Sequence, residues 1–258
     1  MRASRIWLVV AAMAFGGAVA CSGGPETPPA ATPAGPPSGA AVDPATAATI
    51  TGRVIVEGAV PKPEPIAMAG DPVCATASGA AQMTEYFVVG PDGGLENVFV
   101  SVKSGLGART FPAPAAPVVL DQKACHYTPH VVGVQVGQPL EIVNSDDTLH
   151  NVHAVPQVNE EFNIGQPIKG MKNTIKFTAR EVAILFKCDV HGWMNAYVGV
   201  VEHPFFAVTA GGGRFSLETL PPGTYEIEAW HEKLGTETQT VTVGEKETKD
   251  ISFTFKVS

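Results

Sequence analysis

From Ile50 onward the chain alternates apolar and polar positions with a period of two. Val98, Val100 and Val102 alternate with Phe99, Ser101 and Lys103, and Val132, Val134 and Val136 alternate with Gly133 and Gln135. Leu140 and Ile142 follow a Gly137-Gln138-Pro139 turn; Ile175 and Phe177 come next, and an apolar run from Ala183 to Phe186 leads into Cys188. Tyr225, Ile227 and Ala229 then alternate with Glu226 and Glu228, and Ile251, Phe253, Phe255 and Val257 close the chain. Successive side chains of a strand point to opposite faces, so each run offers one apolar face to a core. The runs are short, rich in β-branched residues and broken by Gly, Pro, Asn and Asp, and none shows an apolar face of 3.6-residue period. The pattern predicts an all-β chain of sandwich type, long enough beyond residue 50 for two small sandwiches.

The first 49 residues do not share this pattern. Arg2 and Arg5 precede an apolar run from Ile6 to Ala20, too short and too early for a spanning helix. Ala18-Val19-Ala20-Cys21 resembles a bacterial lipoprotein signal-peptidase site, with Ala18 where Leu is usual. That resemblance implies a signal peptide over 1–20, a lipidated Cys21 and a membrane anchored through acyl chains. The alternative is an ordinary cleaved signal peptide and a soluble periplasmic protein. Either way the expected location is the bacterial cell envelope, outside the cytoplasm. Residues 22–49 hold seven prolines among Ala, Gly and Thr. Such a segment cannot bury a core and is expected to be an extended tether reaching up to roughly 85 Å at about 3.1 Å per residue.

The chemistry concentrates in Cys188-Asp189-Val190-His191-Gly192-Trp193-Met194, with His150 upstream in Asn144-Ser145-Asp146-Asp147-Thr148-Leu149-His150-Asn151. Two imidazoles, one thiolate and a weak axial thioether suit both copper oxidation states, because sulfur stabilises Cu(I) and imidazole holds Cu(II). Zinc more often recruits a further Cys, His or carboxylate, and magnesium or calcium a shell of oxygens. The expected cofactor is therefore one copper ion of type 1, bound by His150, Cys188, His191 and Met194. The Cys-x-x-His-x-x-Met spacing resembles the ligand loop of the cupredoxins, the small blue-copper electron carriers, and within them the amicyanin-like proteins. The resemblance implies a Greek-key sandwich and a role for Asn151 in pinning the two ligand loops and satisfying the Cys188 sulfur. It also implies an exit for electrons through His191, on a ligand loop read as exposed, with Gly192 and Trp193 beside it as part of a docking face or packed inward. His153 is read as an ordinary strand histidine.

In an oxidising compartment, lipidation of Cys21 leaves Cys74, Cys125 and Cys188, an odd number. With Cys188 on copper, Cys74 and Cys125 remain as a disulfide, closing a loop of about 50 residues worth roughly 4 kcal/mol in the chain-entropy account. A competing arrangement makes Cys125, His126 and His130 a second metal site.

His130 to Asn144 resembles the cupredoxin strand pair that opens the copper loop, which places the copper domain at 117–202. Gly213-Arg214-Phe215 and Leu220-Pro221-Pro222-Gly223-Thr224-Tyr225 resemble the carboxypeptidase regulatory-like, transthyretin-like module. The opening strand usual in that module matches Ile50 to Val56, far upstream. The expected organisation is thus a second sandwich split into segments 50–116 and 203–258, with the copper domain inserted between them. Glu232 and Lys233, beside Trp230 and His231, read as a solvated strand end.

Charge narrows the partners. The chain carries 17 basic against 25 acidic residues, a net charge of −8, and loss of residues 1–20 would remove two of the basic ones. Nothing offers the basic face that nucleic acid requires. A redox protein, such as a basic cytochrome, is the expected partner. Among the seven histidines there is no His-x-His pair of the kind multicopper oxidases and nitrite reductases use, and neither a Gly-x-Ser-x-Gly nor a His-Glu-x-x-His motif occurs. The expectation is a non-enzymatic electron carrier. The alternatives are a copper-holding or delivery protein, or a sandwich binding module with an accessory copper domain.

Overall fold

The computed structural model describes residues 42–77 and 79–257, so the expected signal peptide, Cys21 and residues 22–41 of the expected tether lie outside the described residues. Strand β1 (Ala48–Gly58), the short helix α1 (Pro72–Ala77) and β2 (Phe99–Ser104) come first. The middle of the chain supplies β3 (Val118–Lys123), β4 (His126–Thr128), β5 (Val131–Gln135), β6 (Leu140–Asn144), β7 (His150–Val155), β8 (Phe162–Gln166), β9 (Lys172–Ile175), β10 (Glu181–Lys187) and β11 (Asn195–Val201). Then follow β12 (Phe206–Val208), β13 (Arg214–Leu220), β14 (Gly223–His231), β15 (Gly235–Val243) and β16 (Thr248–Val257). The fold is all-β, and no helix among the described residues is long and apolar enough to cross a membrane.

Two sheets, β13-β1-β16 and β12-β2-β14-β15, combine strands from both ends of the chain. The other two, β5-β11-β10-β7-β8 and β4-β3-β6-β9, come wholly from the middle. Each pair of sheets encloses its own core. Ile50, Val54, Val100, Leu217, Ile227 and Phe253 fill the first; Leu120, Val134, Ile142, Val152, Phe186 and Val198 fill the second. Burying such side chains stabilises by about 1.5–3 kcal/mol each, which is what the period-two alternation encodes.

A third, smaller apolar cluster joins the sandwiches: Phe99, Val131 and Val201, with Phe206, Tyr197 and Trp230 against them. Here the aromatic rings of Phe99 and Phe206, 5.7 Å apart, lie on a bare patch of sheet formed by the cross-strand partners Gly133 and Gly199. A Cβ at either glycine would overlap one of those rings. The absence of side chains there is what allows the two bodies to approach.

Three features differ from the sequence reading. Strand β2 buries Phe99 and Ser101 as well as Val100 and Val102, because its second face meets the other sandwich instead of solvent. The last residues of the expected tether are packed: Val42 rests on the first core, and Ala48, 1 % exposed, pairs with Leu220, so that β1 begins before Ile50. Finally, Met68 and Cys74, which fall in segment 50–116, join the core of the middle sandwich. That last departure bears on the site.

Candidate metal centre

His150 opens β7, and the loop 188–194 connects β10 to β11. β10 lies between β7 and β11, with Lys187 opposite both His153 and Asn195, so the sheet itself brings the two ligand-bearing segments side by side. Within the loop, the Cys188 N–H donates to the Met194 carbonyl at 3.1 Å and the Met194 N–H to the His191 carbonyl at 2.9 Å. These bonds fold seven residues into a tight turn whose every third side chain faces inward. His150, Cys188, His191 and Met194 are all buried, although Val190 and Gly192 between them are exposed.

The donor atoms converge. His150 Nδ1 and His191 Nδ1 are 2.9 Å apart, and His191 Nδ1 lies 3.9 Å from Cys188 Sγ. The three residues place one donor each within 4.8 Å of one another. Nitrogens about 2.0 Å and a thiolate about 2.3 Å from one ion would be separated by roughly 3 Å at an N–metal–N angle of about 95–100° and by roughly 3.7–3.9 Å at N–metal–S angles of about 120–130°. The donors therefore fit a single ion of first-row size. Met194, the last residue of that loop, is 1 % exposed and packs in the same core as Cys188.

Outer contacts hold each donor. The Asn151 side-chain oxygen accepts the N–H groups of Asp189 at 2.6 Å and Val190 at 3.3 Å and stands 3.3 Å from Cys188 Sγ. It ties the β7 end to the ligand loop. The His191 N–H points at Cys188 Sγ from 3.4 Å. Burial pushes the Cys188 thiol up, but hydrogen bonds from the His150 ring and from the N–H groups of Asn151, His191 and Val190 outweigh it, and the thiol is held below its ordinary value. For His150, burial works against the proton, yet Asp146 and the Cys188 sulfur raise its pKa to about 9.

Both imidazoles are backed by carboxylates that the sequence reading did not single out. Asp146 Oδ2 lies 2.9 Å from His150 Nε2, and Asp71 Oδ2 lies 3.0 Å from His191 Nε2. Asp146 also accepts the N–H groups of Ala124 at 2.7 Å and Cys125 at 2.8 Å. Those two residues have φ of 53° and 56°, so the β3–β4 hairpin turns on consecutive left-handed residues, a geometry that usually calls for Asn-Gly and here is held by the carboxylate. The turn presents Cys125 to Cys74, and the two form a disulfide with Cα atoms 5.5 Å apart.

That bond removes Cys125 from any second metal site with His126 and His130. Asp146 could have been suspected from its place four residues before His150; nothing in the sequence marks Asp71. His191 is 3 % exposed and lies beneath Asp71 and Cys74, so the expected solvent-facing imidazole is not found. Trp193 packs inward, its ring 5.1 Å from His191 and its indole N–H donating to the Cys125 carbonyl at 3.1 Å. His153 bridges Asp189 and Glu161 at 2.9 Å each, outside the cluster. Glu232 is buried against His130, not solvated.

No family model and no curated relative matches the chain. Among solved structures, it is similar to a copper-containing nitrite reductase from Thermus scotoductus over 37 % of this chain and 26 % of that one, at 23 % identity and a TM-score of 0.32. It is similar to an oxidized amicyanin variant over 39 % of this chain and 97 % of that one, at 24 % identity and a TM-score of 0.31. A second amicyanin variant aligns over 41 % of this chain and 99 % of its own length, at 23 % identity and a TM-score of 0.30. The chain thus spans about a quarter of the nitrite reductase.

Proposed function

We propose that this chain is a copper protein of the bacterial cell envelope that carries single electrons, with one copper ion held by His150, Cys188 and His191 and with Met194 as a weak axial ligand. The convergence of two Nδ1 atoms and one thiolate, at separations that one ion spans, carries this reading. Bound there, copper would supply a one-electron couple, since thiolate favours the reduced ion and imidazole the oxidised one.

The chain's own residues prepare that couple. Asn151 holds the Cys188 sulfur, and burial keeps water from it. Asp146 and Asp71 occupy the Nε2 atoms of the two histidines and so turn both Nδ1 atoms to the same point.

In this reading residues 117–202 are a cupredoxin-like copper domain, inserted into a carboxypeptidase regulatory-like sandwich made by 50–116 and 203–258. The second sandwich is support, not catalyst. A lipidated Cys21 and its tether would keep the head near the envelope membrane, and the net charge of −8 suits a basic redox partner.

A second reading is copper holding or delivery without redox turnover. The 3 % exposure of His191 favours it, because an electron carrier usually brings one ligand to its surface. Titration of the full chain with Cu(II) and Cu(I) separates the two. An intense visible thiolate-to-copper band that bleaches and returns with reductant and oxidant is the expected result. Tight Cu(I) binding without such a band would support delivery, and failure to bind either ion would remove both readings.

A further inference from the structure

The segment that covers His191 belongs neither to the ligand loops nor to the sheets that carry them. Met68 and Cys74 anchor it in the second core at 6 % and 1 % exposure, and Asp71 stands between them. One oxygen of Asp71 accepts the N–H groups of Val73 at 2.7 Å and Cys74 at 3.3 Å, capping the first turn of α1. The other faces His191 Nε2 at 3.0 Å and accepts the Thr148 hydroxyl at 2.9 Å.

A single carboxylate therefore joins three pieces of chain: the covering segment, the loop before His150, and the ligand loop. The disulfide from Cys74 to Cys125 fastens the same segment to the β3–β4 turn, and the Cys125 carbonyl receives the Trp193 indole N–H. His191 is enclosed by these attachments, while its neighbour Val190 is 49 % exposed.

We propose that Asp71 is a positioning residue for His191, and that the segment from Met68 to Ala77 is a strap which closes the metal centre to solvent; this rests on the copper reading above. A carboxylate that accepts the Nε2–H of a histidine fixes the ring's orientation, so that Nδ1 is the atom offered to a metal. Asp146 does the same for His150, so both rings are held with Nδ1 turned to the same point. Two carboxylates behind the ligands also favour the doubly charged ion over the singly charged one, by simple Coulomb attraction. The disulfide holds the strap in place, so that access to His191 depends on a contact made across 120 residues of sequence.

The test uses the full chain in three forms: wild type, Asp71→Asn and Asp71→Ala. In the metal-free proteins, carbethoxylation of His191 by diethyl pyrocarbonate is followed by peptide mass spectrometry. Protection in the wild type and at least tenfold faster modification in Asp71→Ala are expected. Competition titrations with Cu(II) and Cu(I) are then expected to show a 10–100-fold loss of Cu(II) affinity in both variants, with a smaller change for Cu(I).

If Asp71→Ala does not fold, Asp71→Asn decides, since it keeps the helix cap and the size of the side chain while losing the charge. Modification rates and both affinities within twofold of wild type would overturn the proposal. If the wild type binds no copper, the copper reading falls, and the modification rates alone decide whether Asp71 and the strap enclose His191.

Discussion

Two regions of this molecule join buried histidines to carboxylates, and only one of them looks like a metal centre. At the end of the middle sandwich, His150 and His191 give their Nε2 atoms to Asp146 and Asp71 and turn their Nδ1 atoms toward each other and toward Cys188. At the seam between the sandwiches, His130 Nε2 meets Glu232 at 2.5 Å, with the two side chains 4 % and 3 % exposed. His126 and His130 both point Nδ1 toward one oxygen of Glu85, at 3.6 and 3.9 Å. A small cavity of about 40 Å³ opens among Glu85, His126, His130, Trp193 and Asn195.

The residue types are similar, but the geometry is not. Among the described residues, none of the three-donor groups that close to within 4.8 Å includes His126 or His130. The seam also lacks a thiolate, because Cys125 is spent on the disulfide. Convergence of three ligand atoms, not the presence of histidine and carboxylate, marks the first region. The second reads as a buried polar latch between two bodies, centred on the His130–Glu232 pair.

This contrast can be broken at four points, taken in order of expected effect. Replacing Cys188 by Ser should abolish the visible band and most copper uptake, as followed by absorption during Cu(II) titration; retention of the band would place the thiolate elsewhere. Replacing Glu232 by Ala should leave copper uptake unchanged but cost about 3 kcal/mol of stability, because it leaves the buried His130 Nε2 without its partner. Denaturant unfolding of the metal-free chain measures it, and a matching loss of copper would show that the seam and the metal centre are one system.

The third point is pH. Burial outweighs the pull of Glu232 and pushes His231 down to about 4, and burial likewise lowers His203. Both are thus neutral in the fold when the unfolded chain would already bind protons, near the ordinary value of 6.5. Below that value the unfolded state takes up more protons, so stability falls as pH drops from about 6.5 toward 4, by about 3 kcal/mol for His231 alone. Unfolding midpoints measured across this window check the sign, and His231→Gln should flatten the slope. The smallest effect is at the aromatic contact. Gly199→Ala forces a methyl group into the Phe99 ring and should cost about 1–3 kcal/mol without altering copper binding.

Much of this was legible in the amino-acid order, for a physical reason. Strand periodicity is local, so the all-β fold could be read from short windows, and a candidate ligand loop that packs Cys188, His191 and Met194 into seven residues stands out. His150 was legible because Asn151 follows it. What stayed hidden depends on contacts that no window contains. Asp71 reaches His191 from the residue before a six-residue helix, with no periodic pattern to mark it. Glu232 looked solvated because its partner His130 sits in the other sandwich. Phe99 occupied a position that alternation assigns to solvent, and only the bare glycine patch on β5 and β11 explains its burial. The exposure of His191 was misjudged for the same reason: the loop itself is open, and the cover comes from far upstream.

The most direct test is the coordination of the metal. X-ray absorption at the copper edge, on the full chain loaded with one equivalent of copper, should show two nitrogen neighbours near 2.0 Å and one sulfur near 2.3 Å. A shell of oxygen and nitrogen alone would contradict the account, because it would leave Cys188 outside the metal centre.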